Sequence, residues 1–138
     1  MRGPALAAPR PTVAVGGIAV VDGALLLVQR ARPPQVGHWT VPGGRMEPGE
    51  SVAQAVEREL WEETALKVRC GALVGFTERR GPDYHYVILD FRVTPIGAAI
   101  PRAGSDAAAV AWVALDEVRG LNLVDGLEEF LVGHGVMA

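Results

Sequence analysis

Of the five glutamates between positions 50 and 63, four stand out by their spacing, Glu50, Glu59, Glu62 and Glu63, with Arg58 set among them. On a helix turning about 100° per residue, Glu59, Glu62 and Glu63 are related by i, i+3 and i+4 and share one sector of roughly that width. The same wheel sets Val52, Val56 and Leu60 on an overlapping sector, so Glu63 is expected at the rim of the face that packs inward. Like charges at these spacings cost roughly 0.2–0.5 kcal/mol per pair, and partial burial of an uncompensated ion costs considerably more. A hard divalent cation, which takes oxygen ligands, reverses the sign of both effects. Read alone, the triplet also fits a solvated acidic helix face.

The flanking residues favour a ligand site. Ser51 and Gln54 have the spacing of a capping box, which fixes a helix start at Val52. Just before it, Val41-Pro42-Gly43-Gly44 is a tight segment with two residues lacking side chains, so backbone carbonyls and amides can approach a ligand. Arg58, one residue before Glu59 and four before Glu62, can hold a carboxylate by charge-assisted hydrogen bonds and keep it ionised. Its expected role is to orient; the alternative is an exposed i, i+4 pair. Glu50, ahead of the cap, is read as support for the ligands or the turn.

Gly44, Glu50, Arg58, Glu59, Leu60, Glu62, Glu63 and Leu66 carry a resemblance to the Nudix hydrolases. That family's signature runs glycine, five residues, glutamate, seven residues, then Arg-Glu-aliphatic-any-Glu-Glu-any-Gly-aliphatic. One position departs from it, because Ala65 stands where the family has glycine. If that glycine closes the helix with a positive φ, alanine there costs about 1 kcal/mol and bears on the last helical turn, not on the ligands.

The resemblance implies an α/β/α sandwich around a mixed sheet and metal-dependent hydrolysis of a nucleoside diphosphate linked to another moiety, with Mg²⁺ or Mn²⁺ as cofactor. Carried over by position, Glu59, Glu62 and Glu63 are the metal ligands, joined by the backbone carbonyl of Gly43, and one glutamate also accepts the proton of the attacking water. With Arg58 they form the catalytic set. Family members often add an acid from outside the signature. Asp106 is the candidate, as ligand or base, against a local loop role, with Glu78 second. Arg30 is a candidate phosphate contact, and Tyr84 and His85, with Tyr86, could meet a base or ribose; Trp39 beside the glycine loop is read first as packing. Pro82 and Tyr84 partly meet two different subfamily markers, one of ADP-ribose pyrophosphatases and one of dinucleoside polyphosphate hydrolases. An ADP-ribose-like substrate is favoured over nucleoside triphosphates, and a non-catalytic nucleotide sensor is the reading from another class. Many relatives of this kind form homodimers, so a homodimer is a possible assembly.

Length and composition set the frame. A chain of 138 residues suits one domain that needs no disulfide or zinc staple. A net charge of -3 argues against a general nucleic-acid partner, whose affinity is built from phosphate neutralisation. The single Cys70 cannot form an internal disulfide, which points to a reducing, cytoplasmic setting and a small buried apolar group. Residues 1–12, rich in Pro and Ala, read as a flexible arm without the apolar stretch of a signal peptide, leaving 13–138 as the domain. Asp22-Gly23 interrupts the apolar run from Val13 to Val28, so a membrane span is not expected.

The elements that must position the carboxylates follow from periodicity. Thr12–Val21 and Ala24–Arg30 read as strands joined by an Asp-Gly hairpin turn. After a loop over 31–38 and a short extended piece at Trp39–Val41 comes the acidic helix, Val52 to Thr64. Lys67–Arg79 and Tyr84–Thr94 read as a long hairpin broken at Gly81-Pro82-Asp83, with Val68, Cys70, Ala72, Val74 and Phe76 on one face and a bend at Gly71 or Gly75. A mobile loop over 95–107, a short strand at Val110–Val113, a brief helix capped by Asp116 and another over Asp125–Val132 complete the expectation.

Overall fold

A computed structural model describes residues 8–138. The expected arm lies, for residues 1–7, outside the described residues. The elements are β1 (Thr12–Ile18), β2 (Val20–Val21), β3 (Ala24–Arg30), β4 (Trp39–Thr40), β5 (Gly43–Arg45), α1 (Val52–Thr64), β6 (Val68–Arg80), β7 (His85–Pro95), β8 (Ala107–Ala114) and α2 (Leu127–Gly133). One sheet has the order β5-β1-β7-β6, with β1 parallel to β7 and the other pairs antiparallel. In the second sheet β3 pairs with β2, β4 and β8, all antiparallel. No helix among the described residues is long and apolar enough to cross a membrane.

Two cores explain the layering. Val15, Ala19 and Leu26 pack with Ala55, Val56 and Leu60 of α1, whereas Ile18, Leu25 and Leu27 pack with Leu127, Phe130 and Leu131 of α2. Strand β3 alternates between the cores along Leu25, Leu26 and Leu27, so it is apolar on both sides, as a central strand between two helical layers must be. The architecture is the expected α/β/α sandwich with a mixed sheet.

Several local expectations are refined. Asp22 and Gly23 both adopt positive φ, 51° and 75°, as a type I′ turn requires. The run Thr12–Val21 forms two strands in two sheets, because the chain changes partner at the fully buried Ala19, whose carbonyl accepts from Leu26. The single apolar face expected along β6 does not exist. Register shifts between Cys70 and Leu73 and between Leu73 and Gly75 turn the strand, so Cys70 packs on the α1 core, Val74 on the α2 core, and Phe76 is 61% exposed. Asp116 caps no helix; a three-residue 3₁₀ turn, Val118–Gly120, follows Glu117, which makes no side-chain cap bond. The loop before β8 is tied down by backbone bonds from Ile96 to Lys67, Arg102 to Thr64 and Gly104 to Glu63.

Candidate active site

Helix α1 begins as its sequence demands. Ser51 Oγ accepts from Gln54 N at 3.1 Å while Gln54 Oε1 accepts from Ser51 N at 2.9 Å, closing both halves of the capping box. At the other end Ala65 takes the left-handed conformation, φ 58° and ψ 19°, and its N–H donates to Trp61 O at 2.9 Å. Leu66 N then donates to Thr64 Oγ1 at 3.3 Å. The alanine therefore sits in the backbone state for which glycine is suited, and the helix still closes around it.

Between these ends, Arg58 is the hub of the acidic cluster. Its Nε and Nη2 grip Glu50 in a fork, at 2.6 Å to Oε2 and 2.9 Å to Oε1. Nη1 donates to Glu59 Oε1 at 2.9 Å and to Glu62 Oε2 at 3.0 Å, and Nη2 reaches Arg45 O at 3.0 Å. Glu47 adds a looser contact, 3.7 Å from Nη1. One guanidinium thus ties the turn before α1, strand β5 and two rungs of the helix. Its side-chain hydrogen bond and charge hold the Glu50 carboxyl down to about 2.

Glu59 and Glu63 face the glycine strand. A Cβ placed on Gly44 would lie 2.5–2.6 Å from the Glu59 carboxylate, so only glycine leaves this carboxylate its place. Gly43 N donates to Glu63 Oε2 at 2.8 Å. Desolvation raises the Glu59 pKa against the pull of Arg58, and desolvation pushes Glu63 up to about 7, with Gly43 N–H opposing it. Glu62 is more open, with 53% of its side chain exposed. Among the described residues no three His, Cys, Asp or Glu side chains converge as a ready cation cage. In this arrangement Arg58 Nη1 lies between Glu59 and Glu62, and Glu63 is turned to the Gly43 amide. The donor chemistry nevertheless fits a hard cation: carboxylate oxygens, two of them desolvated, beside a strand without side chains.

The outlying candidates fall into two groups. Asp106 and Arg30 are near enough to Glu63 for the first to raise and the second to lower its pKa. Asp106 pairs with Arg32 at 3.1 Å, and Arg30 Nε donates to Pro34 O at 2.7 Å. Tyr84 and His85 stand elsewhere, at the tip of the β6–β7 hairpin, where His85 Nε2 meets Glu78 Oε2 at 2.8 Å and the Tyr84 and Tyr86 rings lie 5.8 Å apart. Tyr86 pairs with Thr12, whereas Gly43 pairs with Gly16, so the tip is displaced by four residues, about 13 Å along the strands.

Sequence reading did not single out Gly104, which lets the loop close on α1, since a Cβ there would lie 2.0 Å from Glu62 O. Nor did it mark Asp90, a buried carboxyl that desolvation pushes up to about 6. The signal for Asp90 was present, since it is the one acid in the otherwise apolar run Val87–Phe91.

A family profile described as "NUDIX domain" matches residues 10–131. The chain is 39% identical to a "MutT-like protein" of Streptomyces ambofaciens over 113 residues, which span 80% of this chain and 68% of that protein. It is 36% identical to an "ADP-ribose pyrophosphatase" of Methanocaldococcus jannaschii over 110 residues, 78% of this chain and 64% of the relative. A "Putative 8-oxo-dGTP diphosphatase 2" of Mycobacterium tuberculosis is 34% identical over 117 residues, 81% and 79% of the two chains. The fold superposes on the MutT protein from Methanosarcina mazei Go1 with a TM-score of 0.82 at 23% identity, covering 94% of this chain and 95% of the other. The signature residues gathered by Arg58, the sandwich that holds them and a profile match over most of the chain agree: this protein belongs to the Nudix hydrolase family.

Proposed function

We propose that this Nudix hydrolase cleaves the pyrophosphate bond of a nucleoside diphosphate linked to a further moiety, with ADP-ribose-like compounds as its substrates and Mg²⁺ or Mn²⁺ as its cofactor. The observation that carries the reading is the single guanidinium of Arg58, which fixes Glu50, Glu59 and Glu62 at once beside the Gly43–Gly44 strand. Glu59, Glu62 and Glu63, with the Gly43 carbonyl, are the residues that would hold the cation, and Asp106 is the fifth candidate. A cation bound there would neutralise the charge of the pyrophosphate and lower the pKa of a bound water.

The chain's own residues do the positioning. Arg58 holds Glu59 and Glu62 in place through charge-assisted hydrogen bonds from Nη1. Gly43 N–H fixes one oxygen of Glu63, leaving Oε1 free to meet the cation or to receive a proton. Arg30, close to Glu63, is placed to meet substrate phosphate once released from the Pro33 and Pro34 carbonyls.

Support for the ADP-ribose class comes from the Methanocaldococcus relative's name, and the mycobacterial relative's name favours a nucleoside triphosphate substrate as the second reading. ADP-ribose, NADH, diadenosine polyphosphates and oxidised nucleoside triphosphates should be assayed side by side with Mg²⁺ or Mn²⁺. Glu62→Gln and Glu63→Gln are expected to lower kcat by about 100-fold or more, the scale of a lost acid–base or charge-stabilising group. Unchanged turnover in both variants would overturn the mechanism, and tight nucleotide binding without turnover under either cation would make the protein a sensor.

A further inference from the structure

Helix α1 is closed from a distance. The last carbonyls of a helix find no partner within it, and here Thr64 O accepts from Arg102 N at 2.8 Å and Glu63 O accepts from Gly104 N at 2.9 Å. Both donors belong to the segment that joins β7 to β8. That segment is pinned upstream as well, where Ile96 N donates to Lys67 O at 2.8 Å and Trp112 Nε1 donates to Ala99 O at 2.9 Å. Its point of contact with the acidic turn of α1 is Gly104.

Glycine is required at 104 for room. Its φ lies outside the left-handed region, so the demand is not one of backbone strain. A Cβ there would lie 2.0 Å from Glu62 O, 3.1 Å from Glu62 C and 3.2 Å from Glu63 Cα. All three are helix backbone atoms, which cannot swing aside, so an added methyl must push the segment off the helix. What the segment carries is functional. Ala107 N donates to Gly104 O at 3.3 Å, closing a turn whose third residue is Asp106, and Ala107 opens β8 opposite Arg30. Asp106 and Arg30 both act on the charge of Glu63, so this turn is where loop and helix acids meet. The Asp106 carboxylate is tied only to Arg32, in a pair 72% and 62% exposed. Such a pair is weak and easily exchanged.

We infer that Gly104 is a positioning residue: by letting the turn rest on the Glu62–Glu63 peptide, it holds the Asp106 carboxylate beside Glu63, among the oxygen donors of the cation site. An acid carried on a docked turn has less freedom to lose on binding than one on a loose loop. The inference rests on the hydrolase reading for its cation, and it is tested by binding, not turnover.

The experiment measures Mn²⁺ binding as loss of the free-ion signal in electron paramagnetic resonance, for the wild type, Gly104→Ala, Asp106→Asn and the double variant. Each single substitution is expected to weaken binding by about 10-fold or more, the scale on which supporting groups tune a metal site. In the double variant the loss should equal that of Asp106→Asn alone, because a residue that acts by placing the carboxylate then has nothing left to place. A merely structural role would lower binding by the same factor in both backgrounds. That outcome, or wild-type affinity in either single variant, overturns the inference and leaves the hydrolase reading standing. Absence of Mn²⁺ binding by the wild type overturns it too, and takes the hydrolase reading with it only if no nucleotide is cleaved. Should Gly104→Ala fail to fold, as circular dichroism would show, Trp112→Phe, which releases the Ala99 carbonyl of the same segment, takes its place and must lower binding only where Asp106 is intact.

Discussion

Arg58 carries more of the site than any other side chain, and its pairing with Glu50 can be followed by pH. The Glu50 carboxyl, held at about 2 by the Arg58 hydrogen bond, lies well below its ordinary value of 4.5. A depressed folded-state pKa contributes stability that is fully present above about 4.5 and is lost as pH falls towards 2. Carboxyl carbon shifts in NMR should therefore show Glu50 titrating near 2 in the wild type. In Arg58→Leu the midpoint should return towards the ordinary carboxylate range; a midpoint unmoved by that substitution would show that the fork does not hold Glu50. Glu59 and Glu63 shift the opposite way because their surroundings exclude water, so neighbouring acids of one helix are set apart by burial and partner.

At the scale of elements, α1 is defined by its two ends. The capping box starts it, and the left-handed Ala65 stops it at an energetic cost that glycine would not incur. Ala65→Gly is expected to raise stability by up to about 0.6 kcal/mol, the left-handed penalty of about 1 kcal/mol less the extra freedom of an unfolded glycine. Chemical denaturation with unchanged m-value checks it, and a loss of stability would mean that the Ala65 methyl makes packing worth more than the strain. Much of this element was legible beforehand: Ser51 and Gln54 marked its start, the signature alignment marked Ala65, and the i, i+3, i+4 spacing located the acids. What stayed hidden were tertiary facts. Gly43–Arg45 lacks the β-branched residues that announce a strand, yet it pairs with β1 because glycine allows the close approach. The bulges of β6 reversed the faces expected for Val74 and Phe76, since alternation read along a chain assumes a register that only the partner strand fixes. Asp106 and Arg30 come near Glu63 through loops whose course no local pattern encodes.

For the molecule as a whole, β3 is the seam between the two cores. Leu26 faces the α1 core and Leu25 and Leu27 the α2 core, all fully buried. Leu26→Ala and Leu27→Ala are each expected to cost about 2–5 kcal/mol, a large part of the roughly 5–15 kcal/mol that holds a domain folded. Because one strand serves both layers, thermal unfolding of either variant should remain a single transition seen alike by far-ultraviolet circular dichroism and tryptophan fluorescence. Separate transitions for the two probes would mean that the cores unfold independently.

The placement of β5 has a kinetic corollary. It is only three residues long and forms the border of its sheet, hydrogen-bonded to a neighbour strand on one side alone, while on the other side Arg58 grasps its Arg45 carbonyl. Such a border peels open more readily than the interior, so the backbone nearest the acids can breathe while β1 and β7 stay shut. The hydrogen bond from Arg58 Nη2 to the Arg45 carbonyl opposes that peeling from the unpaired side.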